Sequence, residues 1–291
     1  MKIGLFTPLT AELASPELAI ETARVAEDCG FSSLWVPEHA VLFDAYEPNY
    51  PYSEDGKMPG GSTGNVLDPF PLLSFFAAHT REIRIGTGVM ILPQRNPIYA
   101  AKEIASLDVL SGGRLDVGIG VGWLAEEMRA LGAPWERRGA RANSYVSVMR
   151  ALWCEDPSAY EDEFYSLPEC RFAPKPVQKP HPPLVFGGES RPALRRIAEF
   201  GQGWNAAMKT PEQMVTLLAE LDEILAEKGR TRDELEVTVM PGADLTPDDL
   251  EAYRDAGVDQ VVALGVAPSA DAVRSVFEPM AKALVVPASS M

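Results

Sequence analysis

"IRIGTGVMILPQRNP", residues Ile83–Pro97, begins as a buried strand and then breaks its own pattern. Ile83–Thr87 is short and apolar, the composition of a strand covered on both faces. Gly86 and Gly88 flank Thr87, three bulky apolar residues (Met90, Ile91, Leu92) follow, and Asn96-Pro97 closes the stretch. A surface loop should be polar, so an apolar kink at the end of a core strand predicts that something covers it.

Similar runs recur on either side. Ile3–Phe6, Ser33–Val36, Leu115–Ile119, Leu184–Phe186, Trp204–Ala206, Leu235–Met240 and Gln260–Leu264 join Ile83–Thr87 to make eight candidate strands. Helices alternate with them. Ser15-Pro16, Asp68-Pro69, Asn96-Pro97, Thr210-Pro211 and Thr246-Pro247 each place a good N-cap before proline at the first helical position, where its fixed φ suits the helix and its missing N–H costs nothing. After Ser15, the residues Leu18, Thr22, Val25 and Cys29 share one helical face, and Gly30 supplies the stop. Eight strand–helix repeats predict a (β/α)8 TIM barrel in a single domain over residues 1–291, with a doubly wound open sheet as the alternative. The string Gly118-x-Gly120-x-Gly122 weakly resembles a dinucleotide fingerprint. Trp123 stands where its last glycine belongs, and the strand lies mid-chain, so the likeness is set aside.

Two segments depart from the repeat. Residues 37–67, rich in Tyr, Pro and Gly, follow the second strand, and residues 155–183 are dense in proline. Both are read as insertion loops at the C-terminal face, where a barrel carries its chemistry. Phe43, Tyr46, Tyr50 and Tyr52 make the first an aromatic pocket wall, a lid or a subunit contact.

Composition narrows the function classes. A chain of 291 residues with 46% hydrophobic and 23% charged residues can bury a large soluble core. The formal net charge of -16 argues against general binding to nucleic acid or anionic membranes. The start lacks a signal-like apolar segment and no run is long enough to span a bilayer, so a cytoplasmic location is expected. Three scattered cysteines and three scattered histidines form no metal pattern.

Taken together, "SLWVPEH" (Ser33–His39), "IGTGVMILPQRNP" (Ile85–Pro97), "AKEIASLDVLSGGR" (Ala101–Arg114), "VGIGVGWLAEEMRALG" (Val117–Gly132), "RRGAR" (Arg137–Arg141), "PKPVQKPHPPLVFGG" (Pro174–Gly188) and "GWN" (Gly203–Asn205) resemble the bacterial luciferase-like oxidoreductases, in their branch that uses coenzyme F420. The resemblance covers most of the chain and implies the same barrel, with a cofactor ring at its C-terminal mouth. It implies a β-bulge after the third strand, with a non-proline cis peptide at Gly88–Val89 and Val89 backing one face of the ring. Ligand, partner subunit or insertion loop would then cover Met90, Ile91 and Leu92; the plainer reading is a bulge that packs the barrel rim.

His39 is either a rim histidine bonded to its neighbours or, as the resemblance implies, a proton donor or acceptor beside the ring; free imidazole titrates near neutrality. Glu38 would orient it or act as the acid–base group itself, whereas Trp35 is either a pocket wall or, the plainer reading, core. Gly187, Gly188, Glu189 and Ser190 turn from a strand into a helix near Pro192, and such free N–H groups suit a cofactor phosphate. Glu189 must then point away. Arg191, Arg138 and Arg141 would add cationic contacts or sit in surface networks. Gly118, Gly120 and Gly122 would admit the ligand close to the backbone, with Trp123 as a wall. Asn96, Glu103 and Asp108 read as structural. The implied activity is hydride transfer between F420 and a small organic substrate. An FMN-dependent monooxygenase and a flavin-binding protein without turnover are the alternatives, and a homodimer is expected.

Overall fold

The structure, a computed structural model, describes residues 1–10, 12–242 and 245–291. Eight parallel strands close on themselves: β1 (Lys2–Phe6), β2 (Ser33–Val36), β3 (Arg84–Thr87), β5 (Leu115–Gly120), β8 (Leu184–Gly187), β9 (Gly203–Ala207), β10 (Glu236–Met240) and β11 (Gln260–Leu264). An open sheet would leave β3 and β5 as distant edges. Instead they pair, Ile85 with Leu115 and Gly86 with Asp116, and this contact makes the barrel. All eight predicted strands are present, within two residues at each end.

The helices form the outer layer: α1 (Pro16–Asp28), α2 (Pro69–His79), α3 (Pro97–Ser111), α4 (Ala125–Ala130), α5 (Arg138–Cys154), α6 (Arg191–Phe200), α7 (Pro211–Glu227), α8 (Pro247–Asp255) and α9 (Val273–Met280). The five proline-marked starts hold. Ser15, Asp68, Asn96, Thr210 and Thr246 each accept a first-turn backbone N–H through the side chain, and Thr210 and Thr246 complete capping boxes. Leu18, Thr22 and Val25 are buried as their spacing predicts, and Gly30 turns the chain at a φ of 79°. Among the described residues no helix is long and apolar enough to cross a membrane.

Inside the barrel, Trp35 is 1% exposed and packs with Phe6, Val185, Met240 and Val262, a core position as expected. Its indole N–H donates to Ser33 Oγ at 2.9 Å, and Ser33 donates to Gln260 at 2.6 Å, so the polar atoms beneath the apolar plug are satisfied.

The two insertions lie at opposite ends. Residues 37–67 follow β2 and sit at the C-terminal mouth, as predicted. Residues 155–183 do not: they lead from α5 into the start of β8, and a helix-to-strand connection returns to the N-terminal end. Gln178 there donates to the Leu115 carbonyl at the start of β5, and Asp108, at the end of α3, accepts from the backbone of Val177 and Gln178. Nor is the segment a plain loop, since β6 (Ser158–Glu161) and β7 (Ser166–Cys170) pair antiparallel within it.

Candidate active site

The strand pair behind the opening stretch carries one residue too many. From Gly86 to Met90 the chain advances four positions while its partner β5 advances three, Asp116 to Ile119, before pairing resumes in β4 (Met90–Ile91). That extra residue is the bulge, and the Gly88–Val89 peptide within it is cis. Gly88 faces inward onto the plug: a Cβ there would lie 3.1 Å from Met240 and 3.4 Å from Trp35. Val89 is half-buried, and its methyl groups fill a hollow that three glycines leave open. A Cβ on Gly120 would come within 2.6 Å of Val89 Cγ2, and Cβ atoms on Gly118 and Gly187 within 3.3 Å of Cγ1. Gly118 and Gly120 therefore make room for the bulge, and Gly122 does the same for Ile91 and Met128.

Met90 corrects the expectation of a covering ligand. It is wholly buried, as is Leu92, and Ile91 is 8% exposed; Met90 and Leu92 belong to the main core of the chain. The protein covers its own kink. Met90 faces away from the mouth and only Val89 presents to it.

Glu38 and His39 leave β2 as extended chain, so their side chains diverge. Glu38 is 6% exposed, accepts the Ile91 N–H, and holds Arg95, whose Nε donates at 2.5 Å. Arg95 reaches on to Asp68 at 2.8 Å and Glu103 at 3.2 Å, so Glu38 ties the bulge to the N-cap of α2 and the second turn of α3. Burial raises the Glu38 carboxyl and Arg95 opposes that rise. It does not orient His39, and its oxygens are spent on the clamp.

The partner of His39 is Glu127, which sequence reasoning passed over. Glu127 lies in the first turn of α4, is 2% exposed, and meets His39 Nδ1 at 3.0 Å through Oε2. Its other oxygen accepts the backbone N–H groups of Ala40 at 2.6 Å and Val41 at 3.3 Å. A carboxylate oxygen accepts from the ring N–H, so Nδ1 is held as the donor and Nε2 is the ring nitrogen that Glu127 leaves unengaged. Residues Leu124, Glu127 and Met128 are all buried, a carboxylate on an apolar helical face, and that spacing is the signal available in the sequence.

Trp123 stands beside this pair, its ring 5.8 Å from His39, 5.5 Å from Tyr46 and 5.1 Å from Tyr50, all edge-on. Tyr50 meets Tyr52 at 5.5 Å, so the 37–67 insertion lays three tyrosines along the mouth; Phe43 is not among these contacts. Burial, with Glu189 and Tyr50 nearby, pushes the Tyr52 hydroxyl up and keeps it protonated. Val41, Met208 and Val266, past the ends of β2, β9 and β11, and Leu264, the last residue of β11, leave apolar side chains exposed around the rim.

Gly187 and Gly188 end β8, Gly188 at a φ of 104°, and Ser190 caps α6 without a side-chain bond to its N–H groups. Glu189 points to β9, where it accepts the Ala207 N–H at 2.8 Å. Burial raises its carboxyl, offset in part by that bond and by Lys209. Arg141 does not reach this turn; its guanidinium donates to the carbonyls of Pro134 at 2.8 Å and Glu136 at 3.2 Å and holds the chain before α5. Arg191 faces Glu220 at 3.8 Å. Arg138 stacks 3.7 Å over Trp135, donates to the Gly122 carbonyl at 3.2 Å, and belongs to no ion pair among the described residues. Lys209 is the cation whose charge acts on Glu189 at this turn, and Arg138 lies beside the Gly122 loop after β5.

Comparisons with known proteins converge on one family. A family profile described as luciferase-like monooxygenase matches residues 1–284. An uncharacterized protein of Mycobacterium tuberculosis is 34% identical over 245 residues, covering 82% of this chain and 84% of that one. An FMNH2-dependent dimethylsulfone monooxygenase of Pseudomonas putida is 28% identical over 181 residues, covering 61% of this chain and 49% of that one. Among solved structures, the coenzyme F420 dependent tetrahydromethanopterin reductase from Methanopyrus kandleri superposes with a TM-score of 0.75 at 17% identity, over 98% of each chain.

Proposed function

Because the chain belongs to the luciferase-like monooxygenase family, we propose that it is an F420-dependent oxidoreductase moving a hydride between the deazaflavin and a small organic substrate. The observation that carries this reading is the His39–Glu127 pair at the barrel mouth. Hydride transfer to a carbonyl carbon needs a proton at the oxygen, and the reverse reaction needs that proton removed. His39 Nε2 is the group for it, with the tautomer fixed from behind by a buried carboxylate. The residues present fit a flat ring carrying a phosphate. Val89 would give it an apolar backing, the tyrosines and Trp123 would shield it from water, and the uncapped first turn of α6 would support the phosphate. Bound there, the deazaflavin would supply a carbon that accepts or releases a single hydride and does not readily activate oxygen. The protein holds the ring, excludes water and handles the proton.

A second reading, an FMN-dependent monooxygenase, is favoured by the Pseudomonas putida relative. Purification from an F420-producing host separates the two. The first expects bound deazaflavin and turnover under nitrogen. A yellow FMN spectrum with oxygen consumption would replace it by the second.

A further inference from the structure

Buried amides are paired almost without exception, because one stripped of water and left without a partner destabilises the fold. Asn205 is left without one. The residue is 4% exposed and its Oδ1 has no hydrogen-bond partner, while Nδ2 makes only a 3.6 Å contact with the sulfur of Met240, a weak acceptor. Alternation along β9 sends Trp204 and Ala206 outward into the helix-packed core, so Asn205 faces the barrel interior. Register sets it level with Gly187 on β8 and Thr238 on β10. Neither neighbour satisfies it: Gly187 has no side chain, and the Thr238 hydroxyl, which accepts from Gln260 at 3.1 Å, makes no hydrogen bond to Asn205. Val89 packs against that same Gly187, and Asn205 lies across from this glycine at about one strand spacing, ~4.8 Å between backbones.

We propose that Asn205 reads the imide edge of the cofactor ring. Oδ1 accepts the N–H that lies between the two ring carbonyls, and Nδ2 leaves Met240 to donate to one of those carbonyls. An apolar ligand would leave the amide unpaired, and a carboxylate or phosphate would offer Oδ1 no proton. An imide matches both halves of the amide. Flavins and deazaflavins share this edge, so the assignment rests on the proposed cofactor class but not on the choice between F420 and FMN.

The test titrates purified apoprotein with F420 and with FMN, each as the natural molecule and with a methyl group on the imide nitrogen, reading dissociation constants by fluorescence. For whichever cofactor the wild type binds, methylation is expected to weaken binding about tenfold or more. Asn205→Leu is expected to bind the unmethylated cofactor about tenfold more weakly, to be indifferent to the methyl, and to melt as apoprotein no lower than the wild type. Asn205→Ala, which adds no bulk, repeats the comparison if the leucine variant does not fold. A methyl penalty as large in the variants as in the wild type would place the imide reader elsewhere and overturn the assignment. So would a lowered melting temperature with both ligands weakened in proportion, the mark of a packing residue. Wild-type protein that binds neither F420 nor FMN would overturn the cofactor reading itself, and this assignment with it.

Discussion

At the residue scale, His39 was legible because it ends a strand at the face where barrels do chemistry, but its partner was not. Glu38 was the natural choice by adjacency, yet an extended chain separates neighbours, and the carboxylate that meets His39 comes from 88 positions away. Removing the imidazole in His39→Ala should slow turnover by about 10²–10⁴-fold while cofactor affinity changes little, measured as kcat against the dissociation constant. Equal losses in both would make His39 a structural contact. Glu127→Gln should leave cofactor affinity intact, lower kcat at least about tenfold, and shift the pH profile, since an amide no longer dictates which imidazole nitrogen holds the proton. A different carboxylate serves the fold alone. Glu27, at the end of α1, accepts the backbone N–H groups of Arg81, Glu82 and Ile83. Burial raises its carboxyl, but the three bonds together outweigh burial and hold it below its ordinary value of 4.5. A depressed carboxyl stabilises the fold above the unfolded-state value and loses that contribution as pH falls through the native one. Glu27→Gln should therefore be modestly less stable at neutral pH, by less than about 1 kcal/mol because solvent screens a largely exposed carboxylate, and denaturant titrations should show the gap closing as pH falls below 4.5.

At the element scale, strands and helix starts were readable because each rests on local chemistry. Apolar β-prone runs need no distant partner to be seen, and Thr210 or Asn96 caps its helix through a neighbour two or three positions away. The bulge was visible as a broken pattern, but its packing was not: the glycines of "VGIGVG" read as clearance for a ligand, and in space they are clearance for Val89 and Thr87. The two glycines in β5 should then respond differently to alanine. At Gly118 the new methyl would fall 1.7 Å from the Thr87 carbonyl oxygen, a backbone atom held in the barrel wall, so Gly118→Ala should lower the melting temperature severely or prevent folding. At Gly120 it would fall 2.6 Å from Val89 Cγ2, a side chain at the open mouth. Gly120→Ala should fold, cost about 1–3 kcal/mol, and weaken cofactor binding by displacing the backing surface. Calorimetry with ligand titration checks both, and a Gly120→Ala protein that binds as tightly as wild type would remove Val89 from the binding surface.

At the scale of the whole molecule, closure depends on β3 finding β5, and the position of an insertion depends on whether it follows a strand or a helix. The first could be anticipated from the count of eight repeats; the second was misjudged for residues 155–183, because length and proline content do not say which end of a barrel a loop returns to. Asn205 escaped notice for a related reason: an asparagine in a strand is unusual, but only the closed barrel shows that no neighbour pairs with it. An exposed apolar stripe on α3 lies outside both core and mouth. Tyr99 and Leu110 on α3 are each 72% exposed, with Ile98 and Val109 beside them. Eleven residues at 100° each bring Tyr99 and Leu110 to the same side of the helix, about 16 Å apart, a stripe of a length that a second copy of the chain can cover. The expected homodimer is proposed to form along it. Tyr99→Glu combined with Leu110→Glu would bring two carboxylates per chain against their symmetry mates, and neither position packs into the core. Light scattering should show wild-type dimers and monomers of the double variant with unchanged helical circular dichroism. Monomeric wild type, or a variant that still dimerises, would remove this stripe as the interface.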